Sequence, residues 1–157
     1  MSKIAFRKRA LGPFFFMFLL SKLPLAYIAG VKLCTLDDEG SSTSLKYRWI
    51  NKNPFRSLYF AAMHMSAELS TGLLLFQNIT KQNHFSMLLI ETNAKYHKKA
   101  VGNILFTCKK GHQVDQFVEM MMHSENGATI VLPVEATNEA GDIVAEFNYT
   151  WSCKKKG

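Results

Sequence analysis

This chain has little that would support a metal centre, a disulfide framework or a membrane span. Its three cysteines, Cys34, Cys108 and Cys153, are widely spaced and odd in number, with no CxxC pair. That excludes a disulfide scaffold and a cysteine-based zinc site, and makes a reducing cytoplasm the default compartment. The five histidines, His64, His84, His97, His112 and His123, are scattered over different predicted elements and form no HExxH motif, so no metal is expected. No apolar run reaches the roughly 20 residues of a membrane span. The most apolar stretch, "PFFFMFLL" (13–20), is soon broken by Lys22 and Pro24, and "LAYIAG" lacks the A-x-A pattern of a signal cleavage site. Internal repeats, low-complexity tracts and linkers are also missing.

What is present suits one globular domain: 157 residues, 48% of them hydrophobic, suffice for one full core. The net charge of +7 is dispersed in short clusters, Lys3 with 7–9, 95–99, Lys109 with Lys110, and 154–156, none within a nucleic-acid motif. Nucleic acid is therefore not an expected partner, and most of these lysines are read as solvated surface; phosphates on a small ligand remain open. Residues 1–28 read as an amphipathic helix packed on the domain through Phe14, Phe15, Phe18 and Leu19, with a membrane-surface anchor as the alternative. The expected location is accordingly cytoplasmic, with membrane association as the variant.

Beyond Gly30, period-two alternation dominates. Leu45, Tyr47 and Trp49 alternate with Ser44, Lys46 and Arg48 as in a half-buried strand, and "DDEGSS" turns it back onto "VKLCTL" as a hairpin. Near the end, Ile143, Ala145, Phe147, Tyr149 and Trp151 face one way, and "NEAGD" joins that strand to "ATIVLPVEAT". "FSMLLIETNAKYHKK" and "NILFTCK" are two further strands. Val114, Phe117, Val118, Met121 and Met122 recur at helical spacing, which predicts a short helix before the last hairpin. "NIT" at Asn78 and "NYT" at Asn148 have the form of glycosylation triplets and are read as chance. A long central helix is predicted from Pro54, with Asn53 as its N-cap, to about Gln77. One long helix with antiparallel hairpins predicts an α+β fold in which the sheet wraps the helix.

In "NPFRSLYFAAMHMSAE", Asn53 and Pro54 are followed by Tyr59, Phe60 and Ala61, with Glu68 nine residues beyond Tyr59. This register resembles the helix entry of the hot-dog fold thioesterases, N-P-x-G-x-x-H-G-G with an acid nine residues after the His. The likeness is to a branch of unknown function with an N-terminal helix, and covers nearly the whole chain, since "AVGNILFTC" and "GDIVAEFNYTW" resemble the middle and closing strands. The departures are the His and both Gly of H-G-G, and Arg56 where a Gly is usual. The resemblance implies one hot-dog domain over 1–157: a helical segment at 1–29 and a core at 30–157. It also implies a homodimer or dimer of dimers, with the acid of one subunit meeting the helix entry of the other.

Thioester hydrolysis needs a polarised carbonyl and an activated water. A helix N-terminus supplies free N–H groups and positive potential, and a carboxylate can act as base or nucleophile. The candidates are Glu68, His64 and Asn53 for catalysis, Tyr59, Phe60 and Ala61 for the oxyanion, and Arg56 with Ser57 for a ligand phosphate. Ala61, His64, Glu68 and Gly72 share a helical face, which lets Glu68 and His64 touch. Each has a plainer reading: Glu68 as half of an ion pair, His64 as a satisfied core histidine, Tyr59 as packing, Asn53 as a cap, and Arg56 and Ser57 as solvation of the first turn. The function expected is hydrolysis of an acyl thioester on coenzyme A or a carrier protein, with no cofactor. The alternative is a non-catalytic acyl-binding or structural hot-dog dimer.

Overall fold

Gly30 marks the change from helix to strand: its φ of +88° ends α3 in a left-handed cap that a side chain would disfavour. The computed structural model describes residues 1–80 and 83–156. Three short helices come first, α1 (Lys3–Ala10), α2 (Phe15–Lys22) and α3 (Pro24–Ala29). The strands are β1 (Val31–Leu36), β2 (Ser41–Lys46), β3 (Phe85–Tyr96), β4 (Asn103–Cys108), β5 (Ala128–Thr137) and β6 (Ile143–Lys155). Between them lie the central helix α4 (Phe60–Phe76) and the short α5 (Gly111–Met122).

All strand pairs are antiparallel, in the order β1-β2-β4-β5-β6-β3, so β1 and β3 form the two edges. The helix α4 packs across β1, β2, β4, β5 and β6. Strand β2 is unusual in burying small polar residues, and these bind the helix directly. The Ser41 hydroxyl donates to the Ser70 carbonyl, and the Thr43 hydroxyl lies 2.7 Å from the Ser66 carbonyl. Small side chains bring the strand close, and their hydroxyls leave no buried donor unpaired. From β6 come Val144, Ala145, Phe147, Tyr149, Trp151 and Cys153 to the core, while Ile143 at the strand's start is largely exposed. As predicted from their helical spacing, Val114, Phe117, Val118 and Met121 of α5 are buried; Met122 packs at the margin. An antiparallel sheet curled around one helix is the hot-dog arrangement.

Two expectations need correction. The β2 strand does not continue through Trp49: it stops at Lys46, and Trp49–Asn51 is one 3-10 turn with the Trp49 ring in solvent. Asn51 causes the bend. Its side-chain oxygen accepts from the Arg48 N–H at 2.8 Å, and its amide donates to the carbonyls of Ala29 and Lys46, both at 2.9 Å.

The N-terminal segment is three helices rather than one, broken at 11–14 and by Pro24 in the first turn of α3. Its inner side packs as expected through Phe15, Phe18 and Leu19, whereas Phe14 points into solvent. Phe76 at the end of α4 receives Phe6 of α1 at 5.5 Å between ring centroids and Phe18 of α2 at 6.4 Å. Arg7 reaches Asp38 at 2.7 Å and Gln77 at 2.7 Å, and Lys3 pairs with Asp38 and Asp115. Hydrogen bonds from Arg7 and Lys3 lower the Asp38 carboxyl to about 2. These pairs lie at the surface, where such contacts contribute little energy, so they orient α1 more than they stabilise it.

Candidate active site

The central helix starts six residues later than the sequence suggested, at Phe60 rather than after Pro54. Asn53 does not cap it. The Asn53 side chain instead folds the approach loop onto itself: its oxygen accepts from the N–H groups of Phe55 (3.0 Å) and Ser57 (3.2 Å). Its amide donates to the Ser57 hydroxyl (3.0 Å) and the Leu58 carbonyl (3.2 Å). The loop turns at Arg56, whose φ of 61° makes it the one non-glycine residue in the left-handed region among the described residues. The Ser57 hydroxyl is buried and spent on Asn53, while Arg56 stays exposed.

This shift places the sequence-predicted oxyanion residues at the helix entry itself. Tyr59 is the N-cap, in extended conformation and with no side-chain cap bond. Its own N–H donates to the Asn51 carbonyl at 2.8 Å, and its carbonyl accepts from Met63. The N–H groups of Phe60 and Ala61 have no acceptor among the described residues. Two free donors therefore stand at the positive end of a 17-residue helix. Beside them is a cleft of about 270 Å³ walled by Phe55, Phe60, Tyr96, Lys98 and Lys99. The Phe60 ring stacks on Tyr96, with centroids 4.1 Å apart.

One and two turns further along α4, His64 and Glu68 share a face, with no hydrogen bond or ion pair between them among the described residues. His64 turns to β6: its Nδ1 lies 2.9 Å from the Tyr149 phenol, and its ring meets Phe147 edge-on at 5.0 Å. Desolvation lowers its pKa below 6.5, so near neutrality the imidazole is uncharged. Glu68 comes close enough to the same strand for its charge to act on the Tyr149 phenol. Its Oε1 lies 3.4 Å from where a Cβ on Gly72 would stand, and the Trp151 ring lies 3.5 Å from that same point. No hydrogen bond or ion pair reaches its carboxylate among the described residues, which leaves the expected contact with His64 unmade. Desolvation alone raises the Glu68 pKa above 4.5. The carboxylate faces a cleft of about 310 Å³ whose other walls are Met65 and the α2–α3 corner, Lys22 to Ala26.

Sequence reasoning missed Tyr149 and Tyr96 as neighbours of the site, although Tyr149 was placed on the inward face of its strand. Burial and then the charge of Glu68 push the Tyr149 phenol far above its ordinary value, so it remains a neutral hydrogen-bonding group. The basic run at 95–99, read as solvated surface, brings Lys98 and Lys99 to the helix entry; Lys98 is tied to Asp142 at 3.2 Å. Cys108 and Cys153 offer no nucleophile here, because burial pushes Cys108 up to about 12 and Cys153 up to about 11. Among the described residues, no three His, Cys, Asp or Glu side chains converge as metal ligands.

The same architecture occurs in solved structures of low sequence identity. PA5026 of Pseudomonas aeruginosa, described as a protein of unknown function and probable thioesterase, superposes with a TM-score of 0.79 at 20% identity, over 93% of this chain and 97% of that one. A thioesterase of Haemophilus influenzae, HI1161, gives 0.67 at 12% identity, over 88% and 87%. A thioesterase of Staphylococcus aureus, SAV0944, gives 0.64 at 19% identity, over 83% and 98%. These likenesses establish the thioesterase-like hot-dog fold. No curated protein matches. Residues 14–153, which hold the whole sheet except its last two residues and both candidate clefts, match the family described as Domain of unknown function (DUF4442), and the chain belongs to that family.

Proposed function

We propose that this protein hydrolyses acyl thioesters, with coenzyme A or a carrier protein as the thiol. The observation that carries the reading is the pairing, on one helix, of two free N–H donors at Phe60 and Ala61 with an unpaired, desolvated carboxylate at Glu68. The donors suit the oxyanion of a tetrahedral intermediate. Glu68, its proton affinity raised by burial, suits the removal of a proton from the attacking water.

Phe60 and Glu68 are eight residues apart, roughly 12 Å along the helix axis at 1.5 Å per residue. One thioester carbonyl cannot meet both in a single subunit. The reading therefore requires a homodimer in which the helix entry of one subunit faces Glu68 of the partner subunit. Strand β3 supplies an edge for it, twelve residues long and bearing exposed Leu88 and Ile90. At the helix entry, Arg56 and Lys99 carry cations with no ion pair among the described residues, and suit the phosphates of coenzyme A. Asn53 acts here as the organiser of the loop that presents them.

A second reading is favoured by two observations: Glu68 has no polarising partner among the described residues, and Tyr, Phe and Ala occupy the H-G-G positions. On that reading the dimer binds acyl groups without turnover. A hydrolysis screen over acyl-coenzyme A substrates of graded length, run beside equilibrium binding of the same compounds, separates the two. Thiol release above the uncatalysed rate supports the thioesterase; saturable binding with no release supports the acyl-binding dimer.

A further inference from the structure

The N-terminal helices have a second face that none of the described residues covers. Phe14, Met17 and Leu20 recur every three residues on one side of α2, and each is half or more exposed, while Phe15, Phe18 and Leu19 turn inward. On α3, Leu25 and Ile28 continue the exposed strip. The surrounding charge has one sign. No acid occurs before Asp37, and although Lys3 and Arg7 are engaged by Asp38 and Asp115, exposed Lys8, Arg9, Lys22 and Lys32 make no ion pair among the described residues. No helix among the described residues is long and apolar enough to cross a membrane, so such a strip can lie on a bilayer but not span it.

We infer that this face docks on an anionic lipid surface and, on the thioesterase reading above, takes the acyl chain from the bilayer into the Glu68 cleft. Two observations carry this. Apolar side chains rimmed by unpaired cations complement negatively charged headgroups over acyl chains, whereas a second copy of the same face would bring like charges together. The α2–α3 corner also serves two surfaces at once: Leu23 and Leu25 are exposed on the docking strip and wall the cleft that Glu68 lines. An acyl chain leaving the bilayer at that corner reaches the carboxylate along apolar surface. The substrate class that follows is a long-chain acyl thioester partitioned into membrane.

The test uses the full chain with phosphatidylcholine vesicles, with and without phosphatidylglycerol. The protein is expected to float with the anionic vesicles at low salt, to be released as salt screens the cations, and to ignore phosphatidylcholine alone. The Phe14→Glu, Met17→Glu double variant should lose about tenfold or more in apparent vesicle affinity at an unchanged melting temperature, since both side chains lie outside the core. Failure of the wild type to float at low salt, or equal flotation of the variant, would overturn the docking. So would a soluble wild-type oligomer that binds no vesicles and falls apart on substitution, because the face would then join two copies. Turnover separates the rest. The variant should lose hydrolysis of a long-chain acyl-coenzyme A presented in vesicles and keep that of a short soluble one; equal effects on both would overturn delivery from the bilayer. Flotation with no turnover of either substrate would remove the thioesterase reading and the delivery route, and leave the lipid docking in place.

Discussion

His64 Nδ1 stands 2.9 Å from the phenol oxygen of Tyr149, and this bond holds the imidazole against β6, with no hydrogen bond to Glu68 on its own helix. The histidine is thereby satisfied by the core instead of serving the carboxylate. Glu68 is left with a proton affinity governed by burial rather than by a neighbouring cation, and its chemistry differs from that of an acid–imidazole pair.

A consequence of this bond is a pH dependence of stability. The folded-state pKa of His64 lies below 6.5, so between the two values the unfolded chain binds more protons. The contribution from burying neutral His64 is complete above pH 6.5 and is lost as pH falls below it. His64→Phe should flatten that part of the pH–stability profile in urea melts, and Tyr149→Phe should cost about 1 kcal/mol by removing the phenol partner. An unaltered acid limb in His64→Phe would show that the imidazole does not titrate with unfolding.

The loop before α4 yields a pair of opposite effects. Asn53→Ala removes five hydrogen bonds from a buried turn and should destabilise the protein by about 2–3 kcal/mol. Arg56→Gly relieves a left-handed backbone at a cost in unfolded-chain entropy, so it should be neutral or stabilising by up to about 1 kcal/mol. Urea midpoints measure both, and a clear loss in Arg56→Gly would mean that the arginine side chain holds the loop. If Arg56 also binds phosphate, the same variant raises KM for acyl-coenzyme A while keeping the fold.

Alternation and helical period made most of this fold legible, because β6 and α5 bury one face each and their apolar spacing follows from that burial. What was not legible came from side chains acting on the backbone. Asn51 ends β2 by taking three backbone bonds, and Asn53 spends its side chain on a loop that a proline rule reads as a first helical turn. The motif register located Glu68 and the helix entry, and the positive φ at Arg56 accounts for the glycine usual at that place in the thioesterase pattern. The neighbours Tyr96 and Tyr149 were beyond reach, since they depend on which strands lie next to α4, and period alone carries no information on strand order.

The dimer can be tested at the β3 edge. Leu88 and Ile90 project into solvent from an edge strand whose other side pairs with β6 on both sides of a bulge at Ile90. Leu88→Lys with Ile90→Lys should convert a dimer to monomers in light scattering without lowering the melting temperature of the monomer, because neither side chain belongs to the core. Hydrolysis, which needs both subunits on this reading, should fall with the dimer fraction. A wild type that is monomeric at micromolar concentration would remove the composite site.

The sharpest separation of mechanism from structure lies in Glu68→Gln. Desolvation raises the folded-state pKa of Glu68 above 4.5, so the folded chain holds its proton more tightly than the unfolded chain. Stability is therefore full below pH 4.5 and declines as pH rises through the folded pKa, where a charge must be kept in a poorly solvated cleft. The amide keeps the shape without the charge. Glu68→Gln should accordingly be as stable as the wild type in acid and more stable near neutrality, with the gap opening as pH rises. If Glu68 is the base, the same substitution lowers kcat by about 10²-fold or more. A structural ion pair with an undetected partner predicts the opposite, a variant that melts lower near neutrality and hydrolyses as before. Melting curves across pH and turnover on one preparation read both quantities, and a less stable, fully active Glu68→Gln would end the mechanism proposed for this site.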